Sequence, residues 1–423
     1  SYRWGASMSK MPTGLGLGYR QSNIANLGVK WETQEQFNVG VDFGFFQNRV
    51  NLVVDWYQKV SKDMLMSLQL PSYMGTSGNA SSVLSAPMGN YGDIENKGLE
   101  ISLNTHPLVG AFEWDSDFQI SFNKNKLRAL SGTANAQIVG YGQWTDVVSV
   151  TNVGESLYNF YGYVCDGVYE DLEDLQTSAK PEKYPANGVF NRTNTVWVGD
   201  IKYKDLNGDG VIDENDRTNI GSPLPKFTFG WTNTFRYKNF DLSLFINGSY
   251  GNKVYNYLAM KLTHMNSSWA NQLTTVLDRA QIVPIDETKD YSGGVLVNGT
   301  MVHNWYDDIT NVRVSNPETS TPRSSVQDPN DNDRISDRYI EDGSYIRLKN
   351  ITLGYTFPSK MIKKWGLENL RVYANIQNLL TITGYSGYDP EIGASTSSAN
   401  VYGLDNGRYP SPTVYSFGLN VSF

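Results

Sequence analysis

The chain ends in a segment whose side chains alternate strictly between apolar and small or polar. From Tyr415 to Phe423, every odd-numbered residue is apolar or aromatic, and every even-numbered residue is Ser, Gly or Asn. Successive side chains of a β-strand point to opposite faces, so the segment is predicted to form a strand with one apolar face. Such a strand is typical of a barrel with lipid outside. The predicted lipid-facing residues are Tyr415, Phe417, Leu419, Val421 and Phe423.

The same alternation occurs in pairs of segments along the chain. Each pair is joined by turn residues and predicts a β-hairpin with one apolar side. The pairs cover residues 37–45 and 50–56, 99–103 and 112–122, 227–237 and 240–246, and 351–357 and 372–376. With weaker candidates at residues 2–8 and 160–169, the pattern predicts roughly ten strands. A soluble sandwich alternates too, so the pattern alone leaves that fold open.

The connections between these segments alternate between short turns and long polar stretches. The long stretches are residues 61–95, 137–226 and 250–344. Short turns on one rim and long loops on the other are typical of outer-membrane barrels. Aromatic residues near the predicted strand ends fit interfacial girdles, with plain core packing as the alternative. These residues are Trp56, Tyr57, Trp231, Tyr237, Tyr250 and Tyr355.

Composition limits how this chain can enter a membrane. Aromatic residues make up 13% of the chain, including 27 Tyr, and such residues suit strands and membrane interfaces. The mean hydropathy of −0.42 is too low for a helical membrane protein. No stretch approaches the roughly 18 consecutive apolar residues that a spanning helix needs. If the chain lies in a membrane, it therefore does so as a closed barrel.

Charge and cysteine content exclude further classes. The net charge of −8 and the pI near 5.1 argue against a general nucleic-acid partner, because phosphate binding requires clustered Lys and Arg. The single cysteine, Cys165, cannot form an intrachain disulfide and fits a small buried apolar residue. The chain begins at Ser1 without an initiator Met, which suggests a piece of a longer polypeptide.

One acidic segment carries explicit metal chemistry. Residues 205–216 fit the calcium-loop pattern, in which oxygen ligands alternate along a turn and a glycine, here Gly210, provides the bend. The pattern has a bidentate Glu at its last position, where this chain has Asp, and an acidic turn without metal is the alternative. We predict a structural Ca²⁺ site with the ligands Asp205, Asn207, Asp209, Val211, Asp213 and Asp216.

Other candidate sites are weaker. His106, His264 and His303 lack partners at a sequence spacing typical of a catalytic triad or a zinc site, so surface or girdle positions are expected. Trp269 and Trp305 lie in predicted loops, where they either stack on a ligand such as a sugar ring or anchor the loop core. No catalytic residue is predicted.

Several motifs occur along the chain. One is the run from Gly199 through Arg217, followed by residues 220–227 before a predicted strand. The others are residues 30–33, 96–100, 341–350, 353–355, 370–373, 378–380 and 384–385. Together these motifs resemble SusC/RagA-type TonB-dependent outer-membrane transporters, and the resemblance covers nearly the whole chain.

The resemblance implies the C-terminal portion of a barrel of about 22 strands that is blocked by an N-terminal plug. Residues 1–423 would supply about half of those strands, with the plug and the early strands absent from this chain. An open sheet of roughly ten strands would expose two edges, which a membrane does not tolerate. We therefore expect the remaining strands to come from the same gene product or from a partner chain.

The function implied is TonB-dependent import of an oligosaccharide or peptide across the outer membrane of a Gram-negative bacterium. The implied partners are a SusD-like surface lipoprotein, a TonB-type energy-coupling protein and the lipid bilayer. A passive porin and a secreted calcium-dependent sugar-binding or adhesion protein are the alternatives. Inward-facing candidates for the pore lining, plug contact or a hydrogen-bonded wall are Asp42, Glu100, Asn104, Asp241, Asn247, Asn375 and Gln377.

Overall fold

The first part of the chain supplies four long strands. The structure, a computed structural model, describes residues 7–67, 84–85, 87–131, 136–142, 146–265, 271–393 and 400–423. A separate hairpin of β1 (Met8–Thr13) and β2 (Gly16–Gln21) comes first. The long strands are β3 (Thr33–Phe45), β4 (Val50–Ser67), β5 (Met88–Leu108) and β6 (Phe112–Leu130).

A long connection between β6 and the next long strand contains short elements only. Its helix is α1 (Leu172–Thr177), and a 3₁₀ turn spans Glu214–Asp216. Its strands are β7 (Ile138–Tyr141), β8 (Val147–Thr151), β9 (Phe160–Gly162), β10 (Cys165–Val168), β11 (Lys180–Pro181), β12 (Ile201–Tyr203), β13 (Val211–Ile212) and β14 (Thr218–Gly221).

Two long strands follow, and then a second long connection. The strands are β15 (Phe227–Tyr237) and β16 (Phe240–Tyr250). The connection contains β17 (Lys253–Asn256), α2 (Tyr257–Leu262), β18 (Ile282–Pro284), β19 (Val295–Val297), β20 (Thr300–Val302), β21 (Val312–Val314) and β22 (Ile340–Asp342). Its 3₁₀ turns span Thr274–Asp278, Trp305–Asp307, Ile309–Asn311 and Asp337–Tyr339.

Three more long strands complete the chain. They are β23 (Tyr345–Thr356), β24 (Asn369–Thr383) and β26 (Val414–Ser422). The short helix α3 (Ser359–Ile362) and a 3₁₀ turn at Lys363–Trp365 join the first two, and β25 (Leu404–Asp405) lies in the connection before the last strand. Among the described residues, no helix has the length and apolar character needed to cross a bilayer.

The nine long strands pair in one antiparallel sheet. Its order is β26-β24-β23-β16-β15-β6-β5-β4-β3, so each strand pairs with its neighbour among the long strands in chain order. This meander agrees with the predicted hairpins. The terminal alternating segment is a strand of this sheet: β26 pairs with β24 without a break, from Asn369 opposite Ser422 to Gln377 opposite Val414.

Two predicted strand boundaries were wrong. Residues 160–169 form β9 and β10 in the first long connection and not a strand of the main sheet, because their apolar residues Phe160 and Val168 are buried in loop cores. The predicted loop 61–95 is strand at both ends, since β4 extends to Ser67 and β5 begins at Met88, while residues 68–83 and 86 lie outside the described part of the chain. The long connections predicted over 137–226 and 250–344 are present, and in the structure they span 131–226 and 251–344. Of the candidate at 2–8, only residues 7 and 8 are described.

One face of the sheet, called the outer face, is apolar across neighbouring strands. Side chains that are opposite in register share a face, so each row of paired residues samples the same surface. Two such rows are Leu419, Val372, Tyr355, Phe240, Tyr237 and Phe112, and Phe417, Ala374, Leu353, Leu242, Phe235 and Trp114. Phe417 leaves 85% of its surface exposed. The first row lies beside short turns, as an aromatic girdle would.

Polar groups on the outer face are paired with tryptophan indoles. Trp114 Nε1 donates to Asn233 Oδ1 at 3.0 Å, and Trp231 Nε1 donates to Ser116 Oγ at 2.9 Å. Asn233 and Ser116 are both buried beneath the rings. Trp231 lies in the middle of β15 and not, as was predicted, at a strand end. Tyr57 lies within β4, and its hydroxyl donates to Asn123 Oδ1 on the inner face at 3.2 Å. Neither residue therefore occupies the predicted girdle position.

The opposite face, called the inner face, is polar, and its glycines make room for larger neighbours. Arg371 Nε donates to Asp241 Oδ1 at 3.1 Å across β23, which passes between their strands. Gly354 of β23 lies directly beneath this ion pair, and a Cβ there would collide with both side chains. Tyr373 occupies the equivalent space above Gly418. Inner-face side chains thus lie flat against the sheet.

We expect Gly354→Ala to destabilise the sheet, because the added methyl group displaces the Arg371–Asp241 ion pair. The loss should be about 1–3 kcal/mol. Guanidinium titration in lipid vesicles, followed by tryptophan fluorescence, measures it. The matched control is Gly384→Ala, since a Cβ at Gly384 would have no neighbour within 4 Å. Equal unfolding midpoints for the two variants would contradict this role of Gly354.

Candidate functional site

The two long connections fold together into one structure, called here the loop body (the described residues of 138–226 and 251–344). They share a hydrophobic core to which both contribute fully buried residues, including Trp197 from the first connection and Val312 from the second. Other core members are Val168, Tyr169, Leu175, Val196, Val198, Ile201, Tyr203, Ile212, Ile309 and Val314. Burial of this apolar surface holds the two connections to each other.

A buried ion pair links the same two connections. Asp200 is fully buried, and its carboxylate accepts hydrogen bonds from Arg323 Nε at 2.7 Å and Nη2 at 3.2 Å. The Trp197 amide donates to Asp200 at 2.8 Å, and Asn332 Nδ2 donates at 3.2 Å. Because a buried carboxylate is stable only when paired and hydrogen-bonded, removal of Arg323 would leave a costly charge. Asp200 belongs to the motif of residues 199–205.

The third connection, residues 384–413, is fastened to the inner face of the sheet. Arg347 of β23 is 3% exposed, and its Nη2 and Nη1 donate to Asp389 at 2.6 Å and Glu391 at 2.7 Å. Arg347 Nε also donates to Thr381 of β24 at 2.8 Å. Glu341 accepts from the Ser386 amide at 2.8 Å and from the Ser386 hydroxyl at 2.7 Å. The third connection therefore covers the inner side of β23 and β24 around Arg347 and Thr381.

The predicted calcium loop forms a tight turn on the surface of the loop body. Asp205 accepts from the amides of Gly208 at 2.6 Å and Gly210 at 2.8 Å, and these bonds lower the pKa of its carboxyl. The Asp209 amide donates to Asn207 Oδ1, and the Val211 amide donates to Asp209 Oδ1, both at 2.9 Å. Backbone amides of the turn thus hold the side chains of Asp205, Asn207 and Asp209 close to it.

The donor set fits Ca²⁺ at the start of the loop and differs at its end. Carboxylate and amide oxygens each retain lone pairs beyond those used here, and Ca²⁺ prefers such ligands. Asp216, in contrast, is fully buried and accepts from the amides of Leu206 at 2.9 Å and Asp213 at 2.8 Å. Asp216 therefore closes the loop from within. Asp213 caps the 3₁₀ turn by accepting from the Asn215 amide at 2.7 Å.

The tryptophans predicted to contact substrate have different outcomes. Trp269 lies outside the described residues. Trp305 is partly buried against the loop-body core, with its ring centre 5.7 Å from that of Tyr306. This position matches the core-anchor alternative, and substrate contact by either residue stays a prediction.

Several inward-facing candidates form hydrogen bonds within the wall. Asn104 bonds Asp117, and Asn375 Nδ2 donates to Asn350 at 2.7 Å and to Thr352 at 2.8 Å. With the Arg371–Asp241 ion pair, these contacts favour the hydrogen-bonded wall over free pore groups at these positions.

A polar cleft of about 1010 Å³ opens between the connections of the loop body. Its walls carry both signs of charge, with carboxylates such as Asp213 and Asp331 and with the cations Arg217 and Arg334. The Arg217 and Arg334 guanidinium groups lie 5.9 and 5.4 Å from the ring centre of Tyr163. The cleft is a candidate ligand-binding region.

Sequence spacing missed two histidine contacts. His264 Nδ1 lies 2.8 Å from Asp333 Oδ2, and His106 Nδ1 lies 2.6 Å from Asp115 Oδ1. The hydrogen bond to Asp333 raises the pKa of His264, whereas burial and the charge of Asp200 raise the pKa of Asp328 to about 6. In the sequence, the acidic residues within 328–333 were the only indication of a charged site here. His264 lies more than 60 positions away and comes next to Asp333 only in the folded chain.

Comparisons with known proteins identify the family. The sequence profile described as "TonB dependent receptor-like, beta-barrel" matches residues 2–379. The chain belongs to the TonB-dependent receptor β-barrel family. It is 34% identical over 410 residues to TonB-dependent receptor P3 of Formosa agariphila, covering 95% of this chain and 35% of that protein. It is 27% identical over 405 residues to TonB-dependent receptor SusC of Bacteroides thetaiotaomicron, covering 94% and 32%.

The fold agrees with that of solved structures. The structure of the RagAB peptide transporter superposes with a TM-score of 0.71 at 21% identity, covering all of this chain and 39% of that one. The predicted SusC/RagA-type resemblance, the all-β barrel fold and the outer-membrane location are confirmed. The chain spans about a third of the length of the curated relatives it matches.

The terminal strand of this family member has the predicted form. β26 lies at one end of the sheet order, and Tyr415, Phe417, Leu419 and Phe423 are exposed at 62–85%. The strand and its alternation are confirmed. Contact of these side chains with lipid stays a prediction.

The attachment of the third connection should weaken in acid. Burial alone would raise the pKa of Asp389, but bonds from the Glu391 amide, Ser411 and Arg347 hold it at about 2. Unfolded Asp titrates near 3.9, so the stabilisation is complete above about pH 4 and is lost as the pH falls to about 2, for a total of about 2 kcal/mol. Hydrogen exchange of residues 384–393 at pH 5 and pH 2, corrected for intrinsic rates, measures it. Asp389→Asn should remove the pH dependence, and an unchanged profile in that variant would contradict the assignment.

Proposed function

We propose that this protein forms part of a transporter that imports a nutrient across the outer membrane, driven by a TonB-type partner. The observation that carries the proposal is the loop body, in which two long connections share one core and enclose a charged cleft. A passive pore needs an open mouth. A transporter that must select its cargo needs a formed surface on which the cargo binds.

The inner face is consistent with the same proposal. The third connection covers the inner side of β23 and β24 around Arg347, whose contacts fasten it there. Several polar side chains of the wall bond one another and lie flat. Such a wall suits the packing of a folded plug better than a wide water-filled channel, because these polar groups already have partners.

The substrate is proposed to be a peptide or an oligosaccharide. The related RagAB structures are described as a peptide transporter and a peptide importer. The charged cleft offers partners for ionic groups on a ligand as well as hydrogen bonds. A SusD-like surface lipoprotein is proposed to assemble with the loop body, and the remaining strands of the barrel are proposed to belong to the same gene product or to a partner chain.

Import is tested in the native bacterium with the gene deleted. The deletion strain should grow poorly when a peptide mixture or an oligosaccharide mixture is the limiting nutrient, and the wild-type gene should restore growth. Uptake should stop when an uncoupler removes the proton gradient. Uptake that persists with the uncoupler, together with large constitutive conductance in planar bilayers, would instead indicate a passive porin. Affinity purification followed by mass spectrometry should recover a surface lipoprotein.

We propose in addition that residues 205–216 bind one structural Ca²⁺. Asp205, Asn207 and Asp209 would supply the side-chain oxygens, and the bound ion would offset the mutual repulsion of the two carboxylates. The position of the loop on the surface of the loop body makes a stabilising role the natural one.

Calcium should raise the thermal stability of the loop body. At a hundredfold excess over the dissociation constant, the gain is about 2.7 kcal/mol. The melting temperature with Ca²⁺ and with chelator measures it in detergent. Asp205→Asn should abolish the difference. The control is Asp290→Asn, because Asp290 accepts from the Ser292 amide at 2.9 Å in an ordinary exposed turn of the other connection. A calcium response that survives in Asp205→Asn would refute the site.

A further inference from the structure

One histidine and two aspartates converge inside the loop body. His264 follows α2 at the start of the second connection, and Asp328 and Asp333 come from its end. One donor atom from each of the three residues lies within 4.8 Å of the other two. Donors around a single transition-metal ion at about 2.0–2.2 Å lie at most ~4.4 Å apart, so a small inward movement would place all three on one ion.

The three donors border a small void. A cavity of about 10 Å³ is lined by the donor residues together with Thr263, Asn332 and Tyr339. A volume of that order accommodates one water-sized sphere, and therefore one ion. His264 Nδ1 and Asp333 Oδ2 are in direct contact at 2.8 Å, and Asp328 completes the group at the edge of the void.

The cations nearby are engaged with other groups. Arg323 pairs with Asp200 at 2.7 Å, and Arg338 Nη1 donates to the Tyr339 hydroxyl at 2.9 Å. Lys261 lies over the ring of Tyr257 at 5.3 Å, and its charge also acts on His264 and Asp333. Asp333 has His264 as a partner at 2.8 Å, whereas Asp328 forms no ion pair with a cation in the described part of the chain.

We propose that His264, Asp328 and Asp333 bind one divalent first-row transition-metal ion. An imidazole nitrogen with two carboxylate oxygens suits Zn²⁺ or Mn²⁺, whereas Ca²⁺ and Mg²⁺ prefer oxygen ligands alone. The ion joins the two ends of the second connection at the wall of the charged cleft. This site is independent of the calcium loop and of the transported substrate.

Zn²⁺ titration of the purified, chelator-treated protein in detergent tests the site by calorimetry. The wild type should bind about one equivalent of Zn²⁺. The affinity of His264→Gln and of Asp333→Asn for Zn²⁺ should be at least about tenfold lower. Two variants serve as controls. His303→Gln removes an exposed histidine outside the cluster, and Asp205→Asn alters the calcium loop, so both should bind Zn²⁺ as the wild type does.

X-ray absorption at the zinc edge keeps the test valid if a variant fails to fold. The loaded wild type should show one imidazole and oxygen neighbours at about 2.0–2.2 Å. Absence of an imidazole shell would overturn the proposal. So would wild-type affinity in a folded His264→Gln variant, or a wild-type protein that binds no Zn²⁺ at all. Failure of import with normal Zn²⁺ binding would affect the proposed function alone.

Discussion

The structure depends on the need of every strand to satisfy its backbone N–H and C=O groups through a neighbouring strand. In hydrocarbon no water replaces a missing partner, so an antiparallel ladder is the means by which these segments can cross a bilayer. The nine long strands meet that requirement in chain order from β3 to β26. The two outermost strands of this order have partners on one side only, among the described residues. The curated relative of Formosa agariphila is about three times as long as this chain, which is consistent with further strands at those edges in the relatives.

The same constraint governs the side chains on each face. On the outer face, Asn233 and Ser116 are tolerated because the indoles of Trp114 and Trp231 donate to them. On the inner face, water and protein satisfy polar groups, and the Arg371–Asp241 pair spans an intervening strand that carries a glycine at the crossing point. Glycine is needed at position 354 because any side chain there would collide with the ion pair, and not because the backbone has an unusual angle. Two faces of one sheet follow opposite rules because their surroundings differ in polarity.

Away from the long strands, the loop body has a hydrophobic core of its own, as a small globular domain does. Its core is built from short apolar segments of two connections, and Asp200 with Arg323 supplies a paired charge within it. The third connection is attached differently, by ionic contacts of Arg347 to the inner wall. Hydrophobic burial therefore shapes the loop body, whereas hydrogen bonds and charge determine how loops attach to the barrel. The loop body thereby holds a charged cleft and a convergent His–Asp–Asp group.

The sequence by itself determined the alternating strands, the short turns and the family, because period-two alternation and local turn chemistry are properties of neighbouring residues. It also indicated the acidic turn at Asp205, Asn207 and Asp209. It misjudged residues 160–169, since an apolar run looks alike in a barrel strand and in a loop core, and it could not show that His264 meets Asp333. Only the tertiary structure decided those contacts, together with the Asp200–Arg323 and Arg347–Asp389 pairs. Their partners are far apart in the chain, and the free energy that joins them arises only after the connections have packed.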